Sequence, residues 1–294
     1  TPAANCAARP AVPVPPAYTS AEVLGDGRVT FRLCAPDAQD VMLLSSDMVG
    51  VVPIGYPAGQ PQGLVMARDA SGLWSLTTPA PLPGGVYRYA FRVDGVRTPD
   101  PLATRFSQER QGASSVIEIA GNPPGQHVWR AEVPHGVVSE VHYWSNATHD
   151  VRRAHVYTPP GYMKGKERYP VLYLVNGAGD SDDDWISVGH ADVILDNLIA
   201  AGKAKPMIVV TPAGHTPFRP GVSIFNNNEF SGDLLGNLVP WVDGNFRTLA
   251  NAENRAMAGL SMGGQHTLYV GLTHPEVFHS IGVFSIGLGV GGEA

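Results

Sequence analysis

The stretch RAMAGLSMGG, residues 255–264, decides the fold of the second half of the chain. It leads from an apolar strand, predicted over Arg255–Ala258, through a Gly-x-Ser-x-Gly turn into a helix predicted over Gln265–Leu272. Such a turn holds its serine on a strained bend with the hydroxyl exposed, and its glycines let neighbouring backbone pass without meeting a Cβ atom. The pattern predicts that Ser261 is a nucleophile. The alternative is a glycine-rich strand-to-helix turn without chemistry.

The segments around this turn alternate between strand and helix patterns. Apolar runs predict strands at Ala154–Tyr157, Val171–Val175, Met207–Val210 and Ile281–Phe284. Helical spacing of apolar residues predicts helices over Ser187–Ala200 and Ser231–Asn245, the second interrupted by Pro240. Because strands alternate with helices, we expect an α/β fold, a mostly parallel sheet of the α/β-hydrolase type flanked by helices, over residues 131–294.

The first part of the chain has a different pattern. Short alternating runs predict strands at Arg28–Leu33, Val41–Leu44, Leu73–Thr77 and Val86–Val93. Glycine and proline separate these runs, which is typical of an immunoglobulin-like β-sandwich. We expect this sandwich over residues 18–120, after an extended leader at 1–17 and before a linker at 121–130.

Composition limits the possible partners. The 294 residues carry a net charge of −6 without any lysine- or arginine-rich run, so the sequence favours neither nucleic-acid nor membrane binding. The start Thr1-Pro2-Ala3-Ala4 has the look of a processed terminus, from which we expect a secreted or periplasmic bacterial protein. Cys6 and Cys34 either form a disulfide, as an oxidising compartment would allow, or remain two thiols.

An oxyanion hole needs backbone N–H groups aimed at the developing charge. We expect one from Met262, directly after the nucleophile, and a second from Gly177 or Ala178 in the glycine-rich loop that follows Val171–Val175. An ordinary strand-to-helix turn is the alternative for this loop. Four aspartates follow at Asp180, Asp182, Asp183 and Asp184; we favour a solvated loop over a calcium site, and expect no metal and no cofactor.

Three separated segments, Arg168–Trp185, Val188–Ile208 and Met257–Gly264, resemble the esterase-D-like carbohydrate esterases, which include feruloyl, acetylxylan and enterochelin esterases. The first domain resembles the early-set carbohydrate-binding-type module that often precedes them. The resemblance implies a serine esterase that releases feruloyl or acetyl groups from plant cell-wall polysaccharide, or its oligosaccharides, through an acyl-enzyme on Ser261. In the loop Thr216–Phe230, and at Trp185, aromatic and amide side chains are candidate substrate contacts: Trp185, Phe225 and Asn227.

Two features depart from the family pattern. Asn176 stands where the oxyanion loop usually carries His-Gly, and the chain ends one helix and one strand after Ser261, before the acid and histidine that should follow. We therefore expect these residues to be part of a longer chain that supplies two more strands and both side chains, with a natural truncation as the alternative. Two other functions stay open: a non-catalytic glycan-binding protein on a truncated scaffold, and hydrolysis of a siderophore ester.

Overall fold

The structure, a computed structural model, describes residue 6 and residues 18–53, 62–221, 223 and 227–286. The chain divides into two compact units. The first contains Thr1–Ser107 and Gly112–His127, and the second contains Gln108–Gln111 and Val128–Ala294. The segment Gln108–Gln111, expected in the sandwich domain from sequence, thus belongs to the second unit.

The first unit consists of short antiparallel strands in two sheets. Strands β1, β2, β6 and β5 form one sheet in that order. The second sheet has the order β4-β3-β7-β10-β9, with β8 paired to β7. In chain order the strands are β1 (Glu22–Val23), β2 (Val29–Cys34), β3 (Val41–Leu44), β4 (Leu64–Val65), β5 (Ala67–Arg68), β6 (Leu73–Thr77), β7 (Gly85–Val93), β8 (Val96–Thr98), β9 (Phe106–Gln108) and β10 (Ala113–Ile119).

The two sheets of the first unit enclose one apolar core. Phe31 from one sheet and Phe91 from the other are fully buried, and the Tyr89 ring lies 4.8 Å from that of Phe31. Cys6 and Cys34 form a disulfide with their Cα atoms 5.5 Å apart, which decides between the two states left open by the sequence. This bond ties the start of the chain to β2.

The second unit is built on a six-stranded sheet of order β11-β12-β14-β13-β15-β16. Strands β14, β13, β15 and β16 are parallel, and β12 and β11 extend the sheet with antiparallel pairing. The strands are β11 (Val137–Ser145), β12 (Asp150–Thr158), β13 (Val171–Val175), β14 (Ile208–Pro212), β15 (Arg255–Leu260) and β16 (Ser280–Phe284). The helices are α1 (Asp184–Ser187), α2 (Ala191–Ala200), α3 (Asn227–Asp233), a π-helical turn (Leu234–Leu238), α4 (Val239–Asn245), a 3₁₀ turn (Ala252–Asn254) and α5 (Met262–Thr273).

Side chains of the central strand β13 alternate between two apolar layers. Tyr173 and Val175 point into the larger core, together with Met257 of β15. Leu174 packs on the opposite face with Val209. Because both faces are covered, the strand reads as a continuous apolar run, and its bounds match the predicted strand. Among the described helices, none is both long and apolar enough to cross a bilayer.

The predicted helices differ from the structure at their ends. The helix expected over Ser187–Ala200 begins only at Ala191, and Ser187 ends the separate helix α1. The chain turns between them at Gly189, where a Cβ atom would lie 2.6 Å from the Trp185 carbonyl oxygen. The helix expected over Ser231–Asn245 begins earlier, at Asn227. An interruption is expected at Pro240. In the structure a π-helical turn leads directly into α4, and Pro240 lies in the first turn of α4, where no backbone N–H is needed.

Candidate active site

Ser261 lies at the turn from β15 to α5 with φ 53° and ψ −110°, a strained backbone conformation for a residue with a side chain. Its side chain is exposed. A Cβ atom at Gly259 would overlap the backbone of Gly263, and one at Gly263 would overlap the Val175 carbonyl oxygen. Both glycines are therefore required by close backbone packing, and the bend presents Ser261 as a nucleophile elbow requires.

The loop after β13 is hydrogen-bonded to this elbow through Asn176. The Gly263 N–H donates to the Asn176 carbonyl oxygen at 3.1 Å. The Asn176 side chain accepts from the Gly214 N–H at 2.8 Å and donates to the Gly177 carbonyl oxygen at 2.8 Å. Asn176 is buried, so these bonds form away from competing water. The loop, the elbow and the segment after β14 are thus held as one backbone framework.

The N–H groups expected to form the oxyanion hole are available. Within the described part of the chain, the N–H groups of Met262, Gly177 and Ala178 donate no hydrogen bond. Met262 is the first residue of α5, where the helix dipole adds partial positive charge. A Cβ atom at Gly177 would lie 2.8 Å from the Asp180 carboxylate, the end of a flexible side chain that can move aside, so packing alone does not require glycine here. Free donors beside an exposed serine are the arrangement that stabilises a tetrahedral oxyanion.

Arg152 holds the segment after β14 in place through hydrogen bonds to its backbone. Its guanidinium donates to the carbonyl oxygens of Ala213 at 2.6 Å and His215 at 2.5 Å. The same group pairs with buried Asp233 at 3.1 Å, and Tyr143 donates to that carboxylate at 2.8 Å. Burial first and then the charge of Asp233 raise the pKa of Tyr143, so its hydroxyl remains a donor. This buried ion pair therefore holds the backbone next to Gly214.

Two histidines lie near this framework, His266 next to Gly214 and His215 next to Ala178, and burial lowers the pKa of both. His266 is buried, stacks on Phe230 at 4.2 Å and shares a 2.8 Å hydrogen bond with Asn227, and burial lowers its pKa to about 4. His215 is half-buried against Ala178, and burial, followed by the nearby Arg110, lowers its pKa. Both rings are therefore neutral at pH 7.

The general base is not found among the described residues, where no histidine hydrogen-bonds to the Ser261 hydroxyl. Three described histidines follow Ser261 in the chain: His266 bonds to Asn227, His274 bonds to Glu276, and the exposed His279 directly precedes β16, at the end of that strand away from Ser261. The described geometry therefore fits the predicted serine nucleophile and oxyanion-hole donors, and it identifies no proton acceptor among the described residues.

In the acidic segment after the oxyanion loop, Asp182 forms ion pairs with side chains of the protein. Asp182 pairs with Arg153 at 2.8 Å and with His155 at 2.9 Å. Burial alone would raise the pKa of Asp182, but His155 and Arg153 hold it below its usual range. The same contact raises the pKa of His155 against the opposite effect of burial. Among the described residues, no group of acidic, histidine or cysteine side chains could hold a metal ion.

A cavity of about 340 Å³ opens beside the oxyanion loop. Ala178 and Gly179 of the loop form one wall, and Glu109, Arg110 and Gln111 supply the other. The Arg110 N–H donates to the Gly179 carbonyl oxygen at 3.0 Å. Sequence reasoning missed this wall, since residues 108–111 have no motif and lie some 150 positions before Ser261.

The three expected substrate contacts have different positions. Trp185 is half-buried and packs against the smaller apolar core with Leu174, so its position does not support a substrate contact. Asn227 begins α3 and binds His266, which gives it a role inside the protein. Phe225 lies outside the described residues.

Comparison with known proteins agrees with this site. The family model Esterase matches residues 145–288, which include Ser261 and the oxyanion loop. An endo-1,4-β-xylanase/feruloyl esterase of Xylanibacter ruminicola is 39% identical over 271 residues, or 90% of this chain and 36% of the relative. Over residues 145–288 the second unit matches the esterase family, and it resembles the esterase-D-like carbohydrate esterases, which are carboxylic ester hydrolases. The chain spans about a third of the length of that relative.

Solved structures show the same esterase fold. A ferulic acid esterase of Anaeromyces mucronatus, determined in complex with ferulic acid, is 26% identical with a TM-score of 0.52, covering 57% of this chain and 65% of that one. The enterochelin esterase of Shigella flexneri is 18% identical with a TM-score of 0.60, covering 89% of this chain and 71% of that one. The second likeness extends over both units of this esterase, and it is a likeness of fold.

Proposed function

We propose that this esterase releases feruloyl or acetyl groups from xylan-type plant polysaccharide through an acyl-enzyme on Ser261. The observation that carries the proposal is the strained, exposed Ser261 beside the free N–H groups of Met262, Gly177 and Ala178. Its relatives support the acyl group, because one combines xylanase and feruloyl esterase in its name and another was determined with ferulic acid.

The chemistry follows from this geometry. The Ser261 oxygen attacks the ester carbonyl carbon, and the N–H of Met262 with that of Gly177 or Ala178 stabilises the negative oxygen. Collapse expels the sugar hydroxyl, and water then releases the acid from Ser261. A base must take the serine proton and return it to the leaving group. The proposal includes a histidine–acid pair for this role, outside the described residues.

The first unit and the cellular location complete the proposal. We assign the two antiparallel sheets to an immunoglobulin-like, early-set module of the carbohydrate-binding type. The disulfide Cys6–Cys34 supports a secreted or periplasmic protein, since such bonds persist in oxidising compartments. The expected partners are polysaccharide chains or their feruloylated and acetylated oligosaccharides.

A second candidate is a non-catalytic glycan-binding protein on an esterase scaffold. The observation that favours it is the lack of a histidine bonded to Ser261 among the described residues. This protein would bind xylan without any Ser261-dependent turnover. A siderophore esterase remains a third possibility to test, on the fold likeness alone.

The test compares substrates with the full-length protein. Methyl ferulate, acetylated xylan and a siderophore ester are each incubated with wild type, Ser261→Ala and the control Ser280→Ala, which alters an exposed serine at the far end of β16. Release of ferulate or acetate that only Ser261→Ala abolishes supports the proposal. Turnover of the siderophore ester alone, or xylan binding with no turnover by wild type, would replace it with the corresponding rival.

A further inference from the structure

The segment Gln108–Gln111 is anchored to the esterase unit by four hydrogen bonds. The Gln108 N–H donates to Asp183 at 3.0 Å, and its carbonyl oxygen accepts from the Ser181 hydroxyl at 2.5 Å. Its side chain accepts from Arg153 at 2.8 Å, and the Arg110 N–H binds Gly179 at 3.0 Å. Because two of these bonds use Gln108 backbone atoms, the position of the segment is set before any ligand binds.

The anchored segment contributes Glu109, Arg110 and Gln111 to the lining of the cavity beside Ala178. Ala178 is also one of the two residues, with Gly177, from which a second N–H donor to the oxyanion is expected. A ligand group in this cavity is therefore next to the reacting ester carbonyl. Arg110 is exposed, and its guanidinium forms no ion pair among the described residues. The backbone N–H of Arg110 holds the residue in place, and its guanidinium donates no hydrogen bond to any described residue.

The polar lining of the cavity suits the alcohol part of the ester, the sugar, better than the acyl part. Among the described residues, the lining consists of three polar residues, Glu109, Arg110 and Gln111, and two small ones, Ala178 and Gly179. An aromatic acyl group binds best against apolar walls. A sugar presents hydroxyl groups that both donate and accept, which suits the five N–H donors of arginine, the amide of Gln111 and the carboxylate of Glu109.

We infer that this cavity binds the sugar that carries the ester, with Arg110 and Gln111 donating hydrogen bonds to its hydroxyl groups. The inference rests on the proposed function, and it deepens that function by assigning the alcohol side of the substrate to residues 109–111. The acyl group then extends away from this wall. Arg110 and Gln111 are specificity-determining residues that act on the sugar and leave the reacting carbonyl to Ser261.

The kinetic test compares two esters of the same acid. Methyl ferulate has no sugar, whereas a neutral feruloylated arabinoxylan oligosaccharide does. For the double variant Arg110→Ala/Gln111→Ala we expect kcat/KM on the oligosaccharide to fall about tenfold, mainly through KM, because two hydrogen bonds are lost. Methyl ferulate should change less than about twofold. The control Arg105→Ala removes an exposed arginine that pairs with Glu118, and should change neither substrate. An equal fall on both esters, or no change on either, would overturn the inference.

A binding test separates this inference from the proposed activity. The variant Ser261→Ala, alone and combined with Arg110→Ala/Gln111→Ala, is titrated calorimetrically with the same oligosaccharide lacking ferulate. Binding that the loop substitutions weaken about tenfold supports the sugar site even if no ester is hydrolysed. Absence of binding, binding unchanged by the loop substitutions, or binding only of oligosaccharides that carry uronic acid would each reject it.

Discussion

The Asn176 side-chain oxygen accepts a hydrogen bond from the Gly214 N–H at 2.8 Å, while its amide group donates to the Gly177 carbonyl oxygen at the same distance. One buried amide thereby joins the ends of two neighbouring parallel strands. A carboxamide does this with one donor and one acceptor and carries no charge. The asparagine thus connects two loops at the site, and the N–H groups for the oxyanion stay free.

The substitution Asn176→Ala should impair catalysis more than it impairs binding. It leaves the Gly214 N–H without its acceptor, and the oxyanion loop loses its attachment. We expect kcat to fall by about 10²-fold or more, with KM changed little, because misplaced oxyanion donors act on the transition state. Steady-state kinetics on a chromogenic acetyl ester measures both constants. The control Asn197→Ala removes another buried asparagine, bonded to the Val128 carbonyl oxygen, and should lower stability without this effect on kcat.

The substitution Asp233→Ala should destabilise the esterase unit by about 3–5 kcal/mol, because it leaves Arg152 buried without its counter-ion. Urea unfolding followed by tryptophan fluorescence gives the change in the free energy of unfolding. The control Glu276→Ala breaks an exposed pair with His274 that solvent screens, and it should change the free energy of unfolding little. Equal losses for the two variants would show that the buried pair does not support the fold.

The stability of the esterase unit should fall in acid because of His266. Its pKa is near 6.5 when unfolded and about 4 when folded, so between these values the unfolded chain binds more protons. The stabilisation that comes from keeping His266 neutral in the folded state amounts to about 3 kcal/mol. It is fully present above pH 6.5 and is lost as the pH falls towards 4. Unfolding free energies at several pH values measure it. In His266→Asn this part of the pH dependence should disappear; a wild-type slope in that variant would contradict the assignment.

Removal of the disulfide should destabilise the first unit. Cys6 and Cys34 are separated by 28 positions, and opening a loop of that length costs about 3–4 kcal/mol in the chain-entropy model. We expect the double variant Cys6→Ser/Cys34→Ser to unfold at a lower urea concentration than wild type. Wild type in reducing agent should match the variant, and the variant should not respond to reducing agent. A reductant effect on the variant would point to another cause.

Local sequence pattern was enough to predict the strand, turn and helix around Ser261. The GLSMG turn predicts the nucleophile elbow because its glycines answer a steric requirement that any sequence must meet there. The run Val171–Val175 predicts β13 since it is apolar on both faces. Strand β11, by contrast, alternates less clearly along the edge of the sheet and was not identified as a strand.

Tertiary structure alone decided which distant residues meet at the site. The sequence predicted Ser261, Met262 and the Gly177–Ala178 loop as parts of one site, through motifs that each lie within a few residues. It could not show that Asn176 binds Gly214, nor that Arg110 lies against Gly179, since these contacts join segments 38 and about 70 positions apart. Such long-range contacts depend on the order of the strands and on hydrogen bonds that form only once the sheet has assembled. Local hydrophobic periodicity predicts neither the strand order nor these hydrogen bonds.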